Sequence, residues 1–155
     1  LGDVYKRQDT PAGRVWHPYS EAQIQSLIAL LKDIVKRNGI EPRHIIGHSD
    51  IAPLRKQDPG PLFPWKRLAD AGLGVWPDAS SVARQQDYFE VNPPTVGWYQ
   101  QALARFGYAI EQTGVLDVQT QHVIAAFQMR FRPQRFDGQP DAQTAAMLEV
   151  LNRMR

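Results

Sequence analysis

The segment from Ile45 to Trp65 combines three residue types that could do chemistry together. It contains an imidazole at His48, an ammonium at Lys56 and a carboxylate at Asp58. Imidazole nitrogens and carboxylate oxygens both ligate zinc, at about 2.0–2.2 Å, and a lysine ammonium can neutralise an oxyanion beside a metal. The residue types indicate a metal site with a cation next to it. The alternative is a surface loop with incidental polar side chains.

Prolines stiffen this segment. Each proline fixes its own φ, which lowers the entropy of holding the loop in one shape. The prolines are Pro53, Pro59, Pro61 and Pro64. We therefore expect a rigid loop that presents His48, Lys56 and Asp58 in one arrangement.

An amphipathic helix is predicted before the loop, over Ser20–Asn38. Ser20 and Gln23 form a capping-box pattern, and Gly39 after Asn38 provides a left-handed stop. Apolar residues recur between them at the helical period on one face: Ile24, Leu27, Ile28, Leu31, Ile34 and Val35. The pattern predicts that this helix packs against a sheet.

The elements adjoining the loop are predicted to be a strand and a helix. Arg43–Gly47 is expected to form a short buried strand, with His48 emerging at its C-terminal end. Functional residues in α/β folds lie at that end of a strand. A short helix is expected at Trp65–Ala71, after the loop.

The run G-H-S-D-I-A-P-x-R-K-x-D-P-G-P-x-F-P-W at residues 47–65 resembles the signature loop of one enzyme family. This is the amidase-2 group of zinc-dependent N-acetylmuramoyl-L-alanine amidases, which is related to peptidoglycan recognition proteins. The resemblance extends upstream through the predicted helix to Trp16 and downstream to Trp76. Its length and fixed offsets make it far more specific than a three-residue motif.

The resemblance implies a role for each of the three residues. His48 and Asp58 would be zinc ligands, and Lys56 would assist catalysis by stabilising the oxyanion. The implied reaction is hydrolysis by zinc-activated water. The implied scissile amide joins the lactyl group of N-acetylmuramic acid to the L-alanine of the stem peptide.

Two further residues of the family's site have no counterpart that we can identify. The family has a second zinc-binding histidine near its N-terminus and a general-base glutamate on a central strand. The nineteen residues before Ser20 contain one histidine, His17, in W-H-P-Y. His17 is expected to be exposed or to cap the helix. We therefore expect an N-terminally truncated amidase domain, inactive by itself, whose residues 1–8 are a non-native remnant.

Composition excludes several function classes. The chain has no cysteine, which rules out disulfides, thiolate ligands and a cysteine nucleophile. Eighteen basic against sixteen acidic residues give a net charge of +2, which is too balanced to indicate nucleic acid or an anionic membrane as partner. No segment approaches the roughly 20 apolar residues of a membrane-spanning helix.

A repeated pattern marks a second, all-helical domain. G-x-x-D-x-x-T occurs at residues 114–120 and again, 24 residues later, at 138–144. Each copy reads as a glycine turn, an aspartate N-cap and a threonine in the first helical turn. Together with A-F-Q at 126–128, the pair resembles the three-helix peptidoglycan-binding domain attached to cell-wall hydrolases. The match covers about Thr95 to Leu151.

The predicted fold class is therefore α/β. Residues 9–78 are expected to form the C-terminal half of an amidase-type mixed sheet with flanking helices. Residues 79–94 are expected to be a linker, and residues 95–155 a small all-α three-helix domain.

The expected cofactor is Zn²⁺, and the expected partner is peptidoglycan or its muropeptides. We expect a monomer in the bacterial cell envelope, periplasmic or associated with the outer membrane. Two alternatives remain: a non-catalytic peptidoglycan recognition protein, and a helical partner-binding module. The presence of both Lys56 and Asp58 favours the enzyme over a recognition protein.

The remaining aromatic and histidine residues are assigned structural roles. Trp65 and Trp76 flank the loop, and core packing is favoured over substrate contact because a tryptophan buries a large area. His44 is expected at the surface. His122 lies on a predicted helix of the second domain, where an exposed or hydrogen-bonded side chain is expected.

Overall fold

The structure is a computed structural model that describes residues 7–11 and 13–154. Within these residues, seven α-helices and one two-stranded antiparallel sheet form an α/β fold, so the predicted fold class is confirmed. The chain divides into two compact units, with the boundary between Val75 and Trp76. No helix in the described ranges combines the length and apolarity needed to cross a membrane.

The sheet of the first unit is a hairpin that the sequence analysis did not predict. Strand β1 (Arg7–Thr10) pairs with strand β2 (Gly13–Trp16), with Gln8 opposite Val15. Exposed His17 follows, and its Nε2 lies 3.3 Å from Oε1 of Gln8. The predicted remnant at residues 1–8 thus overlaps β1, and its first six residues lie outside the described part of the chain.

Helix α1 (Glu21–Asn38) confirms the predicted amphipathic helix. The hydroxyl of Ser20 accepts from the Gln23 N–H, and the Gln23 side chain accepts from the Ser20 N–H at 3.0 Å, which completes the capping box. The apolar residues predicted for one face of the helix are all buried or half-buried. They are Ile24, Leu27, Ile28, Leu31, Ile34 and Val35. The predicted packing against a sheet is not seen among the described residues, because α1 makes no extensive contact with the hairpin.

The predicted strand at Arg43–Gly47 is wrong. Residues Pro42–His44 form a 3₁₀ turn, and the N–H of Ile45 donates to the carbonyl of Pro42 at 3.1 Å. Proline at the first position of the turn presets the φ that the turn needs. The turn also uses the Ile45 N–H that a neighbouring strand would require. Helix α2 (His48–Ile51) follows, so His48 begins a one-turn helix.

Helix α3 (Trp65–Asp70) confirms the short helix after the loop. Trp65 is only 5% exposed, as predicted for a core residue, and its ring lies 4.8 Å from that of Phe63. Both rings belong to the set of buried apolar residues of the first unit. The residues of this set are Ile24, Leu31, Ile45, Phe63, Trp65, Leu68 and Leu73.

Four helices build the second unit: α4 (Ala79–Val91), α5 (Val96–Phe106), α6 (Val118–Phe131) and α7 (Ala142–Arg153). The last three are the helices predicted for the second domain. Helices α6 and α7 begin after the aspartate caps read from the sequence, and α5 begins after Thr95, which was not predicted as a cap. Each of these three side chains accepts a backbone N–H.

Helix α4 lies within residues 79–94, which the sequence analysis assigned to a linker. Its serines and glutamines resemble linker composition, yet Asp78 caps it and Val82 and Phe89 are buried. The helix packs against α7. The domain boundaries given above stay a prediction.

The two G-x-x-D-x-x-T turns are held in the same way. Buried Gln100 on α5 accepts the N–H of Gly114 at 2.8 Å and donates to the hydroxyl of Thr120 at 2.9 Å. A carboxamide suits this position because it carries an acceptor and donors at one end.

Gln128 on α6 repeats the arrangement at the second turn. It accepts the N–H of Gly138 and donates to the hydroxyl of Thr144, both at 3.0 Å. At Gly138, a β-carbon would lie 2.5 Å from the carbonyl oxygen of Gln121, so only glycine fits. Gln128 is the glutamine of the A-F-Q motif. The repeat in sequence is thus a repeat in structure.

Candidate functional site

The loop between α2 and α3 brings His48 and Asp58 together. Nδ1 of His48 lies 3.1 Å from Oδ2 of Asp58. The Asp58 side chain is fully buried, whereas the His48 side chain is 29% exposed. Two ligands of one tetrahedral zinc ion are separated by about 3.3 Å when each lies about 2.0 Å from the metal. The spacing therefore suits two donors to one ion, with solvent access from the histidine side.

Backbone contacts lock Asp58 beside α2. The N–H of buried Ser49 donates to the carbonyl oxygen of Asp58 at 2.9 Å. A carboxylate oxygen of Asp50 accepts the N–H of Gly47 at 2.8 Å, which fixes the start of the helix. At Gly47 a β-carbon would come within 2.9 Å of Cδ of Pro59. The peptide bond between Asp58 and Pro59 is cis. The G-H-S-D motif thus positions the loop as well as the donor.

Tyr19 supports the same loop from the segment before α1. Its hydroxyl donates to the carbonyl oxygen of Pro59 at 2.8 Å, and its ring packs edge-to-face on Phe63 at 5.4 Å. Burial raises the pKa of the Tyr19 hydroxyl, and the nearby charge of Asp58 raises it further. Tyr19 was not among the predicted site residues, because its contact with the loop spans 40 residues.

Lys56 lies in the turn two residues before Asp58. It is half-buried, and its backbone N–H donates to the carbonyl of Ala52 at 2.9 Å. The structure therefore places the predicted cation on the same short loop as the two predicted zinc ligands.

The other three histidines of the chain, His17, His44 and His122, are exposed. His44 is exposed in the 3₁₀ turn, and His122 is exposed on α6 in the other unit. Across residues 7–11 and 13–154, no group of three or more histidine, cysteine, aspartate or glutamate side chains is arranged to hold a metal ion. The described site therefore consists of two candidate donors, His48 and Asp58.

Two protein families match separate parts of the chain. Residues 7–61 match the N-acetylmuramoyl-L-alanine amidase family, and residues 92–148 match the peptidoglycan-binding domain family. The chain therefore contains an amidase-family region and, separately, a peptidoglycan-binding-family region. Its amidase-family region, residues 7–61, contains His48, Lys56 and Asp58. That family is generally zinc-dependent.

Individual relatives match the chain over different lengths. The chain is 42% identical over 148 residues to the N-acetylmuramoyl-L-alanine amidase AmiD of Escherichia coli, covering 93% of this chain and 52% of AmiD. It is 48% identical over 51 residues to the 1,6-anhydro-N-acetylmuramyl-L-alanine amidase AmpD of Enterobacter cloacae, covering 33% of this chain and 27% of AmpD. The chain thus spans about half of AmiD and about a quarter of AmpD.

Solved structures extend the similarity to the fold. The crystal structure of AmpDh3 from Pseudomonas aeruginosa superposes with a TM-score of 0.89 at 38% identity, covering 97% of this chain and 59% of AmpDh3. The structure of AmiD from E. coli superposes with a TM-score of 0.83 at 39% identity. It is a complex with the substrate anhydro-N-acetylmuramic acid-L-Ala-D-gamma-Glu-L-Lys. The match covers 96% of this chain and 58% of AmiD.

Proposed function

We propose that the whole protein hydrolyses the amide between N-acetylmuramic acid and the L-alanine of the peptidoglycan stem peptide. The observation that carries the proposal is the 3.1 Å contact between His48 and buried Asp58 inside the amidase-family region. The substrate class is supported by AmiD, whose solved complex contains a muramyl-peptide substrate.

His48 and Asp58 are proposed as two of the ligands of a zinc ion. The donor set fits this metal, because zinc takes imidazole nitrogen and carboxylate oxygen. When bound, zinc supplies an activated water and polarises the carbonyl of the amide. Asp58 is withdrawn from solvent, so its negative charge can balance a cation at close range.

Lys56 is proposed to stabilise the transition state. Negative charge develops on the carbonyl oxygen as the amide is attacked, and an ammonium held beside that oxygen lowers the energy of the charge. The two-residue spacing to Asp58 keeps Lys56 on the same rigid loop.

The second unit is proposed to hold the protein on polymeric peptidoglycan. Attachment to the wall raises the effective concentration of the amidase-family region at its substrate. A small, soluble muropeptide substrate would give no such increase in concentration. This proposal places the protein in the bacterial cell envelope, in the periplasm or at the outer membrane. The monomeric state remains a prediction.

Zinc titration of the chain by calorimetry tests the metal site. Catalytic zinc sites have three protein ligands, so we expect weak binding by the two described donors. We expect His48→Ala and Asp58→Asn each to lower zinc affinity at least about tenfold, in line with the loss of a charged or ligating partner. His44→Ala is the matched control and should leave the affinity unchanged. Unaltered binding in His48→Ala would contradict the proposal.

Release of stem peptide from purified sacculi tests the activity. We predict no zinc-dependent release by this chain alone, since a general base and a third ligand are not among the assigned residues. Clear zinc-dependent release would contradict that prediction. Binding to sacculi without any zinc binding at His48 would favour the non-catalytic recognition protein.

A further inference from the structure

A cleft of about 420 Å³ lies between α4 and α7 of the second unit. This volume falls within the range of about 300–1,000 Å³ that small-molecule sites occupy. The residues that line it belong neither to residues 7–61 nor to residues 92–148. The cleft is therefore outside both family-matched regions.

Helices α4 and α7 each line the cleft with residues from one side of the helix. Ser81, Arg84 and Gln85 on α4 follow the pattern i, i+3, i+4, which places them on one side of a helix. Residues 150, 153 and 154, at the end of α7, follow the same pattern. Trp76 contributes an aromatic ring, which is fixed by a contact with Phe131 at 5.5 Å between centroids.

Arg84 is the cation of the cleft that can contact a ligand. The Arg84 guanidinium donates to the hydroxyls of Ser80 and Ser81 at 3.3 and 3.0 Å. Within the described ranges it makes no ion pair, whereas Arg153 pairs with Glu149 at 2.7 Å. The acidic residue of the lining, Asp78, caps α4 through hydrogen bonds with Ser80 and Ser81, and the charge of Arg84 contributes a smaller part to the lowering of its pKa.

Two further polar side chains are poised for hydrogen bonding. In the part of the chain that the structure describes, neither the Trp76 indole nor the Gln85 carboxamide makes a side-chain hydrogen bond, although both residues are half-buried. A flat ring beside N–H donors suits a sugar, which offers C–H groups on its face and oxygens at its edge. A guanidinium alongside them suits a carboxylate on that sugar.

We propose that this cleft binds the glycan strand of peptidoglycan after its stem peptide has been removed. The ligand class rests on the proposed function. Hydrolysis adds water across the amide C–N bond, which leaves a lactyl carboxylate on N-acetylmuramic acid and a free amino group on L-alanine. The product sugar therefore carries a charge that the amide lacks, and Arg84 receives that carboxylate while the sugar lies against Trp76.

Titration of the whole chain with a soluble disaccharide tests this site. The probe is N-acetylglucosaminyl-N-acetylmuramic acid with a free lactyl carboxylate, and the comparison probe is N,N′-diacetylchitobiose, which lacks the carboxylate. We expect the acidic disaccharide to bind at least about tenfold more tightly, as a charged hydrogen bond allows. The indole N–H signal of Trp76, assigned in a ¹⁵N spectrum with Trp76→Phe, should shift on binding.

Matched variants distinguish binding at this cleft from non-specific attraction of the acidic disaccharide to the protein's positive charge. Arg84→Gln should reduce the preference for the acidic disaccharide to less than about twofold. Arg105→Gln, an exposed arginine on α5, should retain it. Gln85→Ala should weaken binding of both probes, whereas neighbouring Gln86→Ala should not. Circular dichroism checks that each variant is folded.

Equal binding by the Arg84 and Arg105 variants would overturn the proposal, as would a shift confined to the other tryptophans. The probe has no scissile amide, so this result is independent of catalysis. Failure of the proposed function is read separately, from zinc binding that survives His48→Ala.

Discussion

The indole ring of Trp16 lies directly against the backbone of Gly60. A β-carbon at Gly60 would come within 2.5 Å of Cζ3 of Trp16, and the glycine also has a φ of +91°. This contact joins the end of β2 to the loop that carries Asp58. It makes the middle of the P-G-P sequence a position for glycine alone.

Replacement of Gly60 should therefore destabilise the first unit through a steric clash. Gly60→Ala is expected to lower the free energy of unfolding by about 1–3 kcal/mol more than Gly72→Ala, because an inserted methyl in a packed site forces its neighbours apart. Gly72 is the control: its φ is +77°, and a β-carbon added there would meet nothing within 4 Å. Urea denaturation measures both. Equal losses would show that backbone conformation alone explains the effect.

Replacement of buried Gln128 should destabilise the turn at Gly138 that it holds. Gln128→Leu leaves the Gly138 N–H without its acceptor in a site where Gln128 is only 1% exposed. We expect a loss of about 2–4 kcal/mol in unfolding free energy, since a buried unsatisfied group loses its hydration without compensation. The control is Gln101→Leu on the exposed side of α5. A small loss in Gln128→Leu would show that water replaces the carboxamide.

The ion pair between Glu21 and Arg67 should be visible in an acid titration. Hydrogen bonds from Arg67, and then from Gln25, lower the pKa of Glu21 to about 2. A carboxyl group with a lowered folded-state pKa contributes stability above its unfolded pKa, and the contribution is lost as the pH falls through about 2. Arg67→Met should move the midpoint of Glu21, followed by carboxyl ¹³C shifts, up toward the ordinary glutamate range. Arg55→Met is the control; an unchanged midpoint in Arg67→Met would contradict the assignment.

Stability at high pH should report on Tyr99. Its hydroxyl donates to the carbonyl of Asp141 at 2.9 Å, and burial, followed by the charge of Asp141, raises its pKa. A tyrosine pKa raised in the folded state gives stability that is complete below about pH 10 and declines as the pH rises above it. Tyr99→Phe should flatten this decline, whereas Tyr88→Phe, at a residue 55% exposed, should not. Identical pH profiles for the two variants would contradict the prediction.

Local patterns predicted the parts of the fold that local interactions decide. The capping box at Ser20 and the aspartate caps at Asp117 and Asp141 depend on residues within one helical turn, and each is present. The site pair was inferred from a motif, and the structure brings His48 and Asp58 into contact. Their roles as zinc ligands stay a prediction.

Non-local interactions explain what the sequence analysis missed. The hydrogen bond from Tyr19 to Pro59 spans 40 residues, so no local pattern reveals it. The strand expected before His48 was inferred from apolar content, while the 3₁₀ turn begun by Pro42 determines the backbone there. Helix α4 was missed because its composition is mostly polar. Only Val82 and Phe89 are buried, and two apolar positions do not establish a helical pattern.

The glutamine contacts make the last three helices mutually dependent. Gln100 on α5 holds the turn that begins α6, and Gln128 on α6 holds the turn that begins α7. Detachment of α5 or α6 therefore breaks contacts at the start of the next helix, and detachment of α7 breaks the contact of Thr144 with Gln128. We therefore expect α5, α6 and α7 to melt in a single step. Partly opened forms are then rare, and cleavage by proteases in the surroundings depends on the population of such forms. We therefore expect the repeat to slow proteolysis of these helices as well as to define their fold.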